Sequence, residues 1–139
     1  MQEPLQRRAF LGPGEIPKLL LGSLTGRASD LRRIVGARRA GRIGGVFAVV
    51  SGTLAFGTAG LPAGLLGYAL LCAPGLVLAS RWAELSAPGY LRVSAWALSL
   101  PLLAAAAVRI AAGGGSSAGW VALAAGHVLL WHGLRGGLR

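Results

Sequence analysis

Residues 44–80 read GGVFAVVSGTLAFGTAGLPAGLLGYALLCAPGLVLAS, a run of 37 residues without one charged side chain. A helix needs about 20 apolar residues to cross a bilayer, so the run is far too long for one span. Its apolar residues are continuous rather than alternating, which argues for helices over the strands of a membrane barrel. Two helices joined by a tight hairpin follow. Thr58, Gly60 and Pro62 mark the turn, and Pro62 suits the first turn of the second helix, where a missing N–H costs nothing. The two spans are then about 43–59 and 61–80.

Downstream, Arg81, Glu84, Pro88, Gly89 and Arg92 predict a polar loop over 81–92. A third span follows over 93–112. Gly113 to Gly115 end it, Ser116 or Ser117 caps the next helix, a fourth span covers 118–134, and 135–139 is a short basic tail. Upstream, residues 1–42 hold nine basic and three acidic side chains. Pro4, Gly12, Pro13 and Gly14 make residues 1–14 irregular. Between Ile16 and Arg39, Leu20, Leu24, Ala28, Leu31 and Val35 recur at helical spacing. Gly22 and Gly26 interrupt that pattern, and Ser29 with Asp30 provides a local start, so 30–39 is its firmer half. The fold expected is all-α: an integral membrane protein with a basic amphipathic arm over 1–42 and four transmembrane helices over 43–134.

Composition agrees. Of 139 residues 54% are hydrophobic, the mean hydropathy is +0.62 and the net charge is +10. A soluble domain of this size has too small a core to hide so much apolar surface. Every Lys and Arg except Arg109 falls on one side of the four-pass arrangement, which makes that side and both termini cytoplasmic. Trp82, Tyr90, Trp96 and Trp131 would then lie near the inner interface and Trp120 near the outer one. Arg109 reaches the outer interface by snorkelling. The lone Cys72 excludes an intramolecular disulfide. Abundant Ala, Gly, Leu and Arg with a single Lys point to a GC-rich genome and a bacterial inner membrane, with the mitochondrial inner membrane as the alternative.

Few residues offer chemistry. Gly41, Gly45, Ala48, Gly52, Ala55 and Ala59 form a small-residue stripe on the first span, and such stripes let another helix approach closely in lipid. The expected contact is intramolecular before it is a subunit interface. His127 is the weak candidate for a cofactor ligand, a haem above all. His132 lies five residues on and about 140° around the helix, so the two histidines cannot ligate one metal from a single face. Lys18, Arg27, Arg32, Arg33, Arg38, Arg39 and Arg42 are candidates for contact with anionic lipid head groups or an acidic partner. With Phe10 the only aromatic residue in the arm, nucleic acid is the least supported partner.

The four acidic residues, Glu3, Glu15, Asp30 and Glu84, all lie outside the expected spans. A carboxylate-based proton-coupled exporter is thereby excluded. The sequence has no P-loop, no G-x-S-x-G element and no metal-ligand spacing. It predicts a non-catalytic accessory or assembly subunit of a larger membrane complex, without a cofactor and with lipids and other membrane subunits as partners. A homo-oligomeric pore or small-solute transporter is the alternative, and a haem-binding redox subunit the third.

Overall fold

A computed structural model describes residues 12–37 and 39–136. Five helices follow one another: α1 (Glu15–Thr25), α2 (Ala28–Gly36), α3 (Ala40–Ala83), α4 (Ala87–Ala112) and α5 (Ser117–Arg135). No strand occurs among the described residues.

The arm is two helices rather than one. Gly26 adopts φ +73, and the Gly26 and Arg27 amides donate to the Ser23 and Gly22 carbonyls, which closes α1 in a Schellman turn. The second helix therefore occupies Ala28–Gly36 instead of 30–39. Leu20 and Leu31 of the apolar stripe are buried, and Leu24, Ala28 and Val35 are half-buried. Leu19, Leu31 and Ile34 share a core with Tyr90, Trp96 and Leu130. The leucine face of the arm thus rests on the helical bundle. Asp30, only 2% exposed, lies in this join, with Lys18 Nζ 3.9 Å from one carboxylate oxygen.

Helix α3 breaks at Gly57, whose φ of 75 and ψ of 166 are not helical. The Phe56 ring lies about 3.0 Å from where a β-carbon on Gly64 would stand. In an unbroken helix those residues would be separated by about 12 Å along the axis. The chain therefore folds back on itself, and α3 is a hairpin with its turn one residue before Thr58. The second limb runs to Ala83 and α4 starts at Ala87, so the loop expected over 81–92 shrinks to 84–86. Pro88 and Gly89 do not break a helix here because they stand in its first turn, where Ser86 Oγ accepts from the Gly89 amide at 3.3 Å. Gly113, at φ 65, ends α4 at the expected place.

Contacts between elements give the direction of each limb. Along α4, Arg92 lies beside Gly41, Trp96 beside Gly44, Leu102 beside Gly52 and Arg109 beside Gly57, so α4 runs parallel to the first limb. Along α5, Trp120 meets Gly67, His127 faces Cys72 and Trp131 approaches Gly75, so α5 runs parallel to the second limb. Four helical limbs alternate up and down. Helices α1 and α2 cover the end that also holds Arg39, Arg42, Arg81, Arg92 and Arg135, while Arg109 stands at the other end by Gly57.

Two helices, α3 and α4, are long and apolar enough to cross a membrane, with mean hydropathies of 1.8 and 1.7 over their most apolar windows. Large apolar side chains are exposed on all four limbs, among them Val49 at 63%, Leu66 at 63%, Ile110 at 68% and Val121 at 69%. The aromatic belt differs from expectation. Tyr90 and Trp96 are fully buried, Trp131 is half-buried, and only Trp82 and Trp120 are exposed.

The arm is seated on α5 by two glycines whose backbones touch, Gly26 and Gly133. A β-carbon on Gly133 would overlap the Gly26 Cα. Gly133→Ala should lift the arm by forcing these backbones apart, at a cost of about 1–3 kcal/mol. Limited proteolysis should then cut faster near Gly26, with the bundle left intact. Unchanged cleavage would mean that the arm is held elsewhere.

Candidate functional site

Polar side chains gather where the second limb of α3, α4 and α5 meet. Ser94 Oγ donates to the Leu91 carbonyl at 2.9 Å, so the Tyr68 hydroxyl, 2.6 Å away, is the donor to Ser94. Trp131 Nε1 donates to Tyr90 Oη at 2.9 Å. His127 Nδ1 lies 2.9 Å from the Leu123 carbonyl, which can only accept, so this nitrogen carries the proton. Nε2 then faces Cys72 Sγ at 4.0 Å. The imidazole is fully buried between Tyr68 and Trp131, with ring centroids 5.6 and 5.8 Å away.

This arrangement stitches three limbs together in apolar surroundings, where each interhelical polar bond is worth about 0.6–2 kcal/mol. One His127 nitrogen is held by its own helix and the other is covered by Cys72. No group of three metal-ligating side chains occurs among the described residues. His132, on the far side of α5, is exposed.

The small-residue stripe divides. Gly41 lies against the Arg92 side chain, and Ala55 is fully buried. Between them, a β-carbon on Gly45 would meet nothing within 4 Å, and one on Gly52 would meet only Leu102 Cδ1 at 3.9 Å. Gly45, Ala48 and Gly52 instead line a cleft of about 290 Å³ whose other wall is Leu65 and Tyr68. Ala59 is exposed.

Tight helix contacts lie elsewhere: Leu98 packs onto Gly126, and in the other interhelical cases of the bundle core an aromatic ring sits over a glycine. Trp96 covers Gly44, Phe56 covers Gly64 and Gly119, Trp120 covers Gly67, and Tyr90 with Trp131 covers Gly75. Phe56 and Trp120 also meet edge to face at 5.5 Å. Gly64 stands out in the sequence only as half of a weaker repeat with Gly60, and nothing there pairs a glycine with its ring.

Comparison with protein-family models, with curated proteins and with solved structures gives no match. Function therefore has to be read from the geometry.

Among the basic candidates, Lys18 approaches Asp30, and Arg33 Nη2 makes an ion pair with Glu15 at 3.2 Å. Arg27, Arg32, Arg39 and Arg42 are exposed. Arg38 lies outside the described residues. Arg92, not among those candidates, donates to the Val35 carbonyl at 3.3 Å and ties the arm to α4. Arg109 donates to the Leu54 carbonyl at 3.1 Å and lies over Gly57, so it caps the end of the first limb. Its cationic head meets the negative end of the helix dipole.

Proposed function

We propose that the chain is a non-catalytic integral membrane protein whose four limbs each cross the bilayer, and that it serves as an accessory or assembly subunit. One observation carries this reading: the bundle exposes large apolar side chains on every limb while, among the described residues, every basic side chain but Arg109 collects at one end. An exterior of this kind exceeds the apolar patches that soluble monomers leave open. From Arg42 to Gly57 the first limb rises about 22 Å. Snorkelling of Arg42 away from the bundle centre extends that toward the hydrocarbon thickness of about 30 Å.

The basic end faces the cytoplasm on this reading, in keeping with the excess of Lys and Arg in cytoplasmic segments. The buried polar groups support a structural role, since the described side chains around His127 bond to one another and present no reactive atom to a solute. The setting that composition favours is a bacterial inner membrane.

Reporter fusions test the orientation. Fusions within 84–86 and after Arg135 should report cytoplasm, and fusions at Thr58 and Gly114 the opposite side. A cytoplasmic signal at Thr58 would break the four-pass reading. The subunit role predicts that the chain, extracted in mild detergent, migrates with other membrane proteins; a monomer as the sole species would count against it.

A further inference from the structure

The cleft between the limbs of α3 has an apolar lining and a defined depth, and a cation stands one helical turn before its first lining residue. Its floor is Gly45 and Gly52, its walls include Val49, Leu65 and Leu98, and Phe56 closes the end nearest the hairpin turn. From Gly45 to Phe56 the helix rises about 16 Å, close to half of a hydrocarbon core of about 30 Å and so to the depth of one leaflet. Arg42 precedes Gly45 by three residues and shares its helical face. It is exposed at the basic end and makes no hydrogen bond or ion pair among the described residues. Tyr68 adds no polarity to the wall, because its hydroxyl is spent on Ser94.

An apolar slot of single-leaflet depth with a cation one helical turn beyond it on the same face complements an amphiphile with one apolar chain and an anionic head. We propose that the cleft holds an acyl chain of an anionic phospholipid from the leaflet at the basic end, with the lipid phosphate on Arg42. Spread over a length of about 16 Å, a volume of about 290 Å³ has a cross-section of about 18 Å², far less than that of a transmembrane helix about 10–12 Å across with its side chains. The inference rests on the four-pass reading and deepens it by naming a lipid partner.

The full chain, purified in mild detergent and exposed to phosphatidylglycerol or phosphatidylcholine, is examined by native mass spectrometry, with thermal unfolding in parallel. Wild type should retain one phosphatidylglycerol in preference to phosphatidylcholine. Gly45→Leu and Gly52→Leu fill the floor, where there is room for a side chain, and should reduce retention roughly tenfold, the effect of keeping about two methylenes out of the slot. Leu65→Trp fills the cleft from the opposite wall and should do the same if a glycine variant fails to fold. Arg42→Gln should keep the lipid and lose the preference for an anionic head.

Equal retention in the folded, cleft-filled variants overturns the proposal. So does a wild-type dimer that Gly45→Leu converts to monomer, since a second copy would then occupy the cleft. The reporter fusions report separately on orientation, so loss of the lipid site and loss of the four-pass reading give different results.

Discussion

Gly57→Ala is expected to lower stability by about 3 kcal/mol or more. Two costs combine. At φ 75 and ψ 166 the backbone lies in a region that is essentially glycine-only, and holding alanine there costs about 1–3 kcal/mol. The added β-carbon would also stand 2.6 Å from Arg109 Nη2 and push the guanidinium off the Leu54 carbonyl. A hydrogen bond from a charged donor contributes about 1.5–3 kcal/mol. Arg109→Leu removes only this second part, so it should cost less. The double variant should be little worse than Gly57→Ala alone, because the two changes disable one contact. Gly60→Ala is the control, since its β-carbon would make ordinary 3.6 Å contacts with Phe56 and Ser116. Thermal unfolding in detergent measures all four. If Gly57→Ala melts with Gly60→Ala, the chain does not turn at Gly57.

Gly44→Ala and Gly45→Ala, one residue apart, should fall on opposite sides of wild type. At Gly44 a β-carbon would lie 2.6 Å from Trp96 Cδ1 and Nε1. The indole has nowhere to go: it is fully buried, and its Nε1 donates to the Ala40 carbonyl at 2.8 Å. Overpacking of this kind costs about 1–3 kcal/mol. At Gly45 the β-carbon meets nothing, so the gain in helix propensity should show as about 0.5–1 kcal/mol of added stability. Equal melting temperatures for the two variants would remove Trp96 from its seat on Gly44 and with it the register of α4 against the first limb.

Much of the architecture is legible in the sequence because helix breaks in an apolar chain are written in glycine, proline and charge. The uncharged run 44–80 does contain a hairpin, and Gly113 ends α4. Where the reading missed, a local signal had two meanings. Pro88 and Gly89 look like loop residues, yet both fit the first turn of a helix capped by Ser86. Tyr90 and Trp96 look like an interfacial belt, since hydropathy does not say whether an aromatic ring faces lipid or a glycine on the neighbouring limb.

The candidate site was less legible. His127 is conspicuous as a polar residue in an apolar helix, but its neighbours Tyr68, Cys72 and Trp131 come from positions up to 59 residues away. The stripe from Gly41 to Ala59 has the right spacing for close packing. Spacing alone cannot say that Gly45 and Gly52 line a cleft while Gly44, off the stripe, carries the contact.

The sequence by itself determined the helical class and the length and apolarity that let α3 and α4 cross a membrane. These properties depend on local composition and period, and each residue contributes whatever its distant neighbours are. Only the tertiary structure decided which glycines are seats for rings, that Arg109 caps the hairpin, that the leucines of the arm rest on protein and that a cleft opens beside Gly45. Those outcomes depend on the rotation of one helix about its axis relative to the next, where a step of one residue turns a side chain by about 100°. In a chain so rich in glycine and alanine, nearly every face is smooth enough to pack, so the bulky rings choose among them.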